Sequence, residues 1–413
     1  MSETLCSGTG SAPTNGPLVP RPFRWVFCGL GVCAAIVPAA LPATAESLGL
    51  GTEAVLPAVS VLFAGLLLGV VLAPVLHRHL TSVLVLRIAT VLQALGLLAA
   101  CLAWIPEAFL TAAGLIGLGF GLLEVTATAM LRATAGSQTT RALSSMTLWV
   151  AASAAVTPII VLLLGALGWV RLAFLMAALI PVGAAVSFRS PSAAVGEPSA
   201  SAVGESSVTA PASSAKPAWS RTWSRLLPLA FALICYVGAE SILAGWSAAI
   251  VQDTLLLPAS VAALGTSAFW LLMTSGRALG VWASTHWASG HLLLICTVLL
   301  LAALTGAQVT LSSGVPAAAS LLFLALAVLA AGPCYSLLLG TAVAQASVRR
   351  AVPLTATLVA LGAAGGSLIP LAASLRNGSA GAAASTAAIA AAAALLGVLA
   401  ARPWRPAAVA VGS

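Results

Sequence analysis

Between Phe23 and Arg402 the chain alternates long apolar stretches with short polar breaks. Each stretch is long enough to cross a bilayer, since about 20 apolar residues span the hydrocarbon core as a helix. Twelve are read, at about 23–43, 53–76, 82–104, 107–131, 142–165, 169–188, 226–250, 258–284, 291–312, 316–342, 352–375 and 381–402. Lipid cannot satisfy a backbone N–H or C=O, so such segments must be helices that satisfy their own. The pattern predicts an all-α membrane protein. One connection is long: residues 189–225, rich in Ser, Ala and Pro, read as a tether. The predicted organisation is a tail at 1–22, a six-helix bundle at 23–188, the linker at 189–225, a second six-helix bundle at 226–402 and a tail at 403–413.

Composition agrees. The chain is 61% hydrophobic and 6% charged, too few charges to clothe a soluble domain of 413 residues. A net charge of +8 would suit nucleic acid, but the positive charges sit where cytoplasmic loops should be and so read as orientation signals. With the N-terminus inside, Arg21, Arg24, Arg78, Arg132, Arg141, Arg189, Lys216, Arg221, Arg225, Arg349, Arg350, Arg402 and Arg405 all fall on the cytoplasmic side. Only Arg171 and Arg376 fall outside, while Arg87 and Arg277 lie within or at the edge of helices. The loops TAESLGLGTE and VQDTLLLP, without positive charge, are external by the same rule. Both termini and the linker are therefore expected in the cytoplasm. An Ala-rich chain with a single Lys points to a GC-rich bacterial source and a plasma-membrane location.

The halves share features at matching places. Histidines 77 and 79 follow helix 2, and His286 and His291 follow helix 8. Pro158 in helix 5 matches Pro370 in helix 11, and Gln93 in helix 3 matches Gln308 in helix 9. Two pseudo-symmetric halves are the expected architecture, as in many secondary transporters.

The chemistry present excludes several classes. The seven cysteines have no CxxC spacing and mostly sit inside apolar runs, which reads as packing, with neither metal nor disulfides. Residues 1–20 are Gly, Ser, Thr and Pro rich and do not read as a cleaved signal. There is no GxxxxGK[ST] phosphate loop, and the histidines lie in loops without nearby acids. No cofactor and no enzymatic constellation is expected. Of nine acidic residues, only Glu124 in helix 4 and Glu240 in helix 7 lie inside spans. A carboxylate at membrane depth costs about 2.5–3.5 kcal/mol on insertion scales, so both are proton-coupling candidates. The alternative for Glu124 is a structural bond to an arginine or a helix end, and for Glu240 a hydrogen bond that secures the external half of helix 7. Tyr236 precedes Glu240 by one helical turn and shares its face. Arg277 and Arg87 are placed to snorkel, and Arg78 and Arg277 are gating candidates. Trp149, Trp270, Tyr236, Tyr335, Gln93 and Gln308 are cavity or substrate candidates, with helix packing as the alternative. Gly117, Gly119, Gly121, Gly362, Gly365 and Gly366 allow close helix contact.

Local motifs narrow the family. Helix 4 reads GLIGLGFGLLEVTATAM, helices 7 and 8 read YVGAESILAGWSAAI and SAFWLLMTSGRALG, and helix 11 reads LVALGAAGGSLIPLAA. The layout resembles the major facilitator superfamily, and these segments are similar to those of its fucose-permease-like branch. The resemblance implies alternating-access transport, with Glu124 in the position of that branch's coupling glutamate. The chain departs from the pattern in three places. The loop GVVLAPVLHRHLTS keeps Arg78 but lacks the usual Asp and Gly, helix 1 has no acid, and Thr128 stands where those permeases carry Asn. Asn15 and Asn377 are the only asparagines, and the intramembrane polar set is sparse, whereas a sugar site needs dense hydrogen bonding. The sequence therefore leans to proton-coupled export of a less polar metabolite or drug. Uptake of a sugar or other polar solute is the alternative, and a non-transporting sensor or lipid-handling protein is the reading from another class. The expected partners are a small-molecule substrate, protons and membrane lipids.

Overall fold

A computed structural model describes residues 21–135, 139–187, 216–313, 315–344, 348–376 and 379–402. Twelve helices in it are long and apolar enough to cross a membrane. They are α1 (Pro22–Ser47), α2 (Thr52–Leu76), α3 (Ser82–Cys101), α4 (Pro106–Leu131), α5 (Trp149–Ala166) and α6 (Val170–Ser187). The second set is α7 (Leu226–Gly245), α8 (Ala259–Ser284), α9 (Ser289–Ser312), α10 (Ala317–Ala342), α11 (Thr357–Ser374) and α12 (Ala380–Ala401). Every span read from the hydrophobic pattern is present, with ends that differ by at most seven residues, and the protein is an all-α, multi-pass membrane protein.

One boundary needs correction. The linker was expected to run to Arg225, but the helix that carries α7 begins at Lys216. The segment KPAWSRTWSR has no helix breaker beyond Pro217, and proline is tolerated in a first turn because its missing N–H has no intrahelical partner there. The remainder of the expected linker and both tails lie outside the described residues.

The helices run up and down, so α1 starts, and α12 ends, at one face, here called the terminal face. Lipid is as apolar as leucine, so burial of side chains alone does not drive these helices together; close packing does. Helices α2 and α4 show how. Gly65 and Gly69 of α2 meet Gly114, Gly117 and Gly121 of α4, and a Cβ on Gly117 or Gly121 would collide with the carbonyls of Leu62 or Leu66. Glycine at these positions lets the two backbones touch. Gly365 of α11 rests on the Ile234 carbonyl of α7 in the same way.

Contacts between the two sets of six helices lie from mid-depth toward the face remote from the termini. The Thr52 hydroxyl donates to Gln252 Oε1 at 3.2 Å. The Ser367 hydroxyl donates to the Ser60 carbonyl at 2.9 Å, and the Ser267 hydroxyl to the Ala155 carbonyl at 3.0 Å. Gly245 and Gly366 leave room for Val59 and Phe63, which cross from α2. The remote end is thus closed by a seam between the halves.

Two spans are interrupted, α7 at the remote end and α10 near mid-depth. Helix α7 ends at Gly245, and a separate segment, Ser247–Leu255, continues it. Helix α10 breaks between Ala331 and Cys334, at Gly332 and Pro333. Proline has no N–H and its ring clashes with the preceding turn, so the helical ladder is broken there. The Tyr236 hydroxyl takes up the Ala331 carbonyl at 2.8 Å, tying α7 to the break.

Candidate functional site

Below the seam lies a central cavity of about 230 Å³, lined by α1, α2 and α4 from one half and α7, α8, α10 and α11 from the other. Interrupted helices at a mid-membrane interface between repeats are where transporter folds place their binding sites. The walls are mostly Ala, Val, Leu, Pro and Gly, with Phe63, Phe120, Phe269, Trp270 and Tyr335 supplying rings.

Both intramembrane acids line this cavity, one from each half. Glu124 projects from α4, the helix whose glycines hold its backbone against α2. Its carboxylate has no hydrogen bond or ion pair among the described residues. Glu240 projects from α7, and its Oε1 lies 3.8 Å from a guanidinium nitrogen of Arg277 on α8. That contact is loose. Arg277 is 50% exposed and Glu240 19% exposed, so water screens the pair from one side. Tyr335, just past the α10 break, stands within electrostatic reach of Glu124, Glu240 and Arg277 at once. The cavity therefore holds one compensated carboxylate and one without a cation. Polar groups otherwise are few. The Ser241 hydroxyl and the Trp270 indole N–H are buried, line the cavity and have no hydrogen-bond partner among the described residues. The Trp270 ring meets Phe269 edge-on at 5.6 Å.

Other residues singled out from the sequence fall elsewhere. Tyr236 is fully buried and does not itself line the cavity; its hydroxyl donates to the Ala331 carbonyl and lies beside the Glu240 carboxylate. Gln93 is fully buried between α3, α4 and α1, with Gly119 and Gly29 against its side chain, and does not line the cavity. Its amide nitrogen and oxygen both lack partners among the described residues. Gln308 sits on α9, a helix packed on α10 and α12, also away from the lining. Trp149 is 40% exposed near the terminal end of α5, with Arg24 stacked 5.7 Å from its ring. That stacking makes Trp149 an anchor for the start of α1, not a cavity wall. Arg78 lies exposed in the turn after α2. Arg277, expected to snorkel or to gate, is half exposed and lies 3.8 Å from Glu240. Arg171, one of the two arginines that broke the charge asymmetry, lies 3.5 Å over the Trp104 ring.

Ser241 and the phenylalanines were not singled out from the sequence. Ser241 adjoins Glu240, and Gly332-Pro333 marks the break that presents Tyr335; both signals stand in the sequence.

No family model and no curated protein matches the chain. Solved structures do. It is similar to an auto-inhibited peptide transporter of the POT family, at 15% identity and a TM-score of 0.69, covering 95% of this chain and 99% of that one. It is similar to the nucleoside transporter NupG, at 12% identity and a TM-score of 0.68, covering 92% and 98%. It is also similar to the E. coli fucose:proton symporter FucP, at 15% identity and a TM-score of 0.57, covering 92% and 97%. Another matched structure is described as a major facilitator superfamily transporter. Twelve spans, a mid-membrane cavity between two six-helix halves and these likenesses together give the chain the major facilitator fold.

Proposed function

We propose that this protein is a secondary active transporter that moves a small molecule by alternating access, driven by protons. The observation that carries the reading is the central cavity, closed at the remote face and lined by both intramembrane acids. A site between two halves is exposed to either side when the halves rock about it. Glu124 is the coupling residue: it is an uncompensated carboxylate at membrane depth, a costly arrangement that a proton relieves. Glu240 and Arg277 form a neutral pair that holds α7 to α8 and senses the state of the cavity through Tyr335. The apolar walls favour a solute of low polarity and so export of a metabolite or drug. The charge asymmetry of the loops supports a cytoplasmic terminal face, which makes the closed remote seam the external one.

The test is a solute screen in proteoliposomes with an imposed pH gradient, repeated with Glu124→Gln. Accumulation that follows the gradient and is lost in the variant, while exchange between equal pools survives, is the expected result. Gradient-driven accumulation undiminished in Glu124→Gln would remove Glu124 from coupling. Solute binding with no flux in either protein would favour a sensor.

A further inference from the structure

The balance of groups in the cavity points to a substrate class. Two carboxylates enter it and one guanidinium answers, and that guanidinium belongs to Glu240. With Glu124 ionised the cavity therefore carries one net negative charge. The walls around that charge are mostly rings and aliphatic side chains, with few hydrogen-bond donors: Phe120 on α4 itself, Phe63 on α2, Trp270 on α8 and Tyr335 on α10. A ring face attracts a cation through its quadrupole, most strongly where water is excluded, and the indole face is the best of them. The Ser241 hydroxyl, buried and unpartnered on the cavity wall, remains available to a ligand.

Three ligand types can be weighed against this inventory. An anion meets a site of its own sign. A sugar must replace many water hydrogen bonds, and each polar group left unpaired in a buried site costs about 1–3 kcal/mol; Ser241, Trp270, Tyr335 and the two acids are too few. A hydrophobic cation satisfies every term: its charge meets Glu124, its body meets the apolar walls, and its charged head meets the rings. We propose that the cavity binds a hydrophobic organic cation, an aryl or alkyl ammonium, with Glu124 as its counter-ion and Trp270 stacked on its head group. The proposal rests on the transport reading for what binding achieves, but binding itself can be measured without flux.

The test uses the full chain in lipid nanodiscs and equilibrium dialysis of radiolabelled benzyltrimethylammonium, which cannot lose its charge. Two companions of similar size are 3-phenylpropionate and the uncharged carbon isostere of the cation. The expected result is saturable, one-site binding of the cation alone. Glu124→Gln should weaken it at least tenfold, Trp270→Leu several-fold, and Glu124→Asp should keep the preference for the cation, which separates loss of charge from loss of fold. Equal binding of the neutral isostere, unchanged binding in Glu124→Gln, or no saturable cation binding in a folded protein would each overturn the proposal. Cation binding without transport in proteoliposomes would sink the transport reading and leave this one standing. Transport of a neutral or anionic solute without cation binding would do the reverse.

Discussion

Neutralising the two cavity acids one at a time should move stability in opposite directions. Glu240 lies 3.8 Å from Arg277, whose side chain is half exposed. At that separation the bare attraction is roughly 4 kcal/mol for an effective dielectric of 20. Desolvation and side-chain entropy offset most of it. Exposed pairs net about 0–1 kcal/mol, and breaking a fully buried pair costs about 3–5 kcal/mol. Half exposure places Glu240→Gln between these limits, at about 1–2 kcal/mol lost. Glu124 has no such cation. Its carboxylate carries an insertion cost of about 2.5–3.5 kcal/mol that an amide of the same shape largely avoids. Glu124→Gln should therefore leave stability unchanged or raise it by about 1 kcal/mol. Four described cysteines, Cys33, Cys235, Cys296 and Cys334, are buried, so a thiol-reactive dye reports unfolding directly during a thermal ramp in detergent. The midpoint should fall for Glu240→Gln and hold or rise for Glu124→Gln. A fall of equal size in both would mean that Glu124 has a structural partner, and the assignment of an uncompensated coupling acid would fail.

Further expectations concern packing, topology and pH. Gly117→Leu should separate α2 from α4 and cost about 1–3 kcal/mol or abolish folding, whereas Gly340→Ala, with open space around it, should be silent in the same thermal assay. In a background lacking the native cysteines, Leu50→Cys should react with an impermeant thiol reagent added to intact cells and Ser284→Cys should not; the opposite pattern would invert the assigned orientation. His77, in the turn after α2, bonds Thr126 of α4 at 3.2 Å, and burial lowers its pKa below the ordinary imidazole value. Its stabilising contribution is therefore complete above the unfolded value and lost as pH falls through the lowered one, so His77→Asn should flatten the midpoint's pH dependence on the acid side.

The spans were legible because length and hydropathy decide them, and the bilayer admits no alternative to a helix for an apolar run of that length. Glu124 and Glu240 were legible for a related reason: in a chain with nine acids, the two inside spans stand out. What the sequence carried poorly was direction around each helix. Spans apolar on every side carry no polar stripe to say which face turns inward. Gln93 and Gln308 are polar and intramembrane, yet they pack behind the cavity, while Phe63 and Phe120, ordinary apolar residues, line it. Trp149 belongs to the terminal end of α5 because Arg24 holds its ring, a pairing 125 positions apart that no local pattern encodes. The partner of Arg277 was hidden for the same reason: only the position of α7 beside α8 reveals Glu240.

The central claim is that the two halves rock about the cavity, opening the remote seam that Thr52 and Gln252 now hold at 3.2 Å. The direct measurement is the distance between spin labels at Glu53 and Leu256, one on each half at that seam, recorded by pulsed dipolar spectroscopy in lipid bilayers. The account predicts two distance populations, a short one matching the closed seam and a longer one from the state open at the remote face. Their ratio should shift between wild type and Glu124→Gln, because protonation of that carboxylate biases the two states. A single short distance under every condition, unchanged by the substitution, would contradict alternating access in this protein.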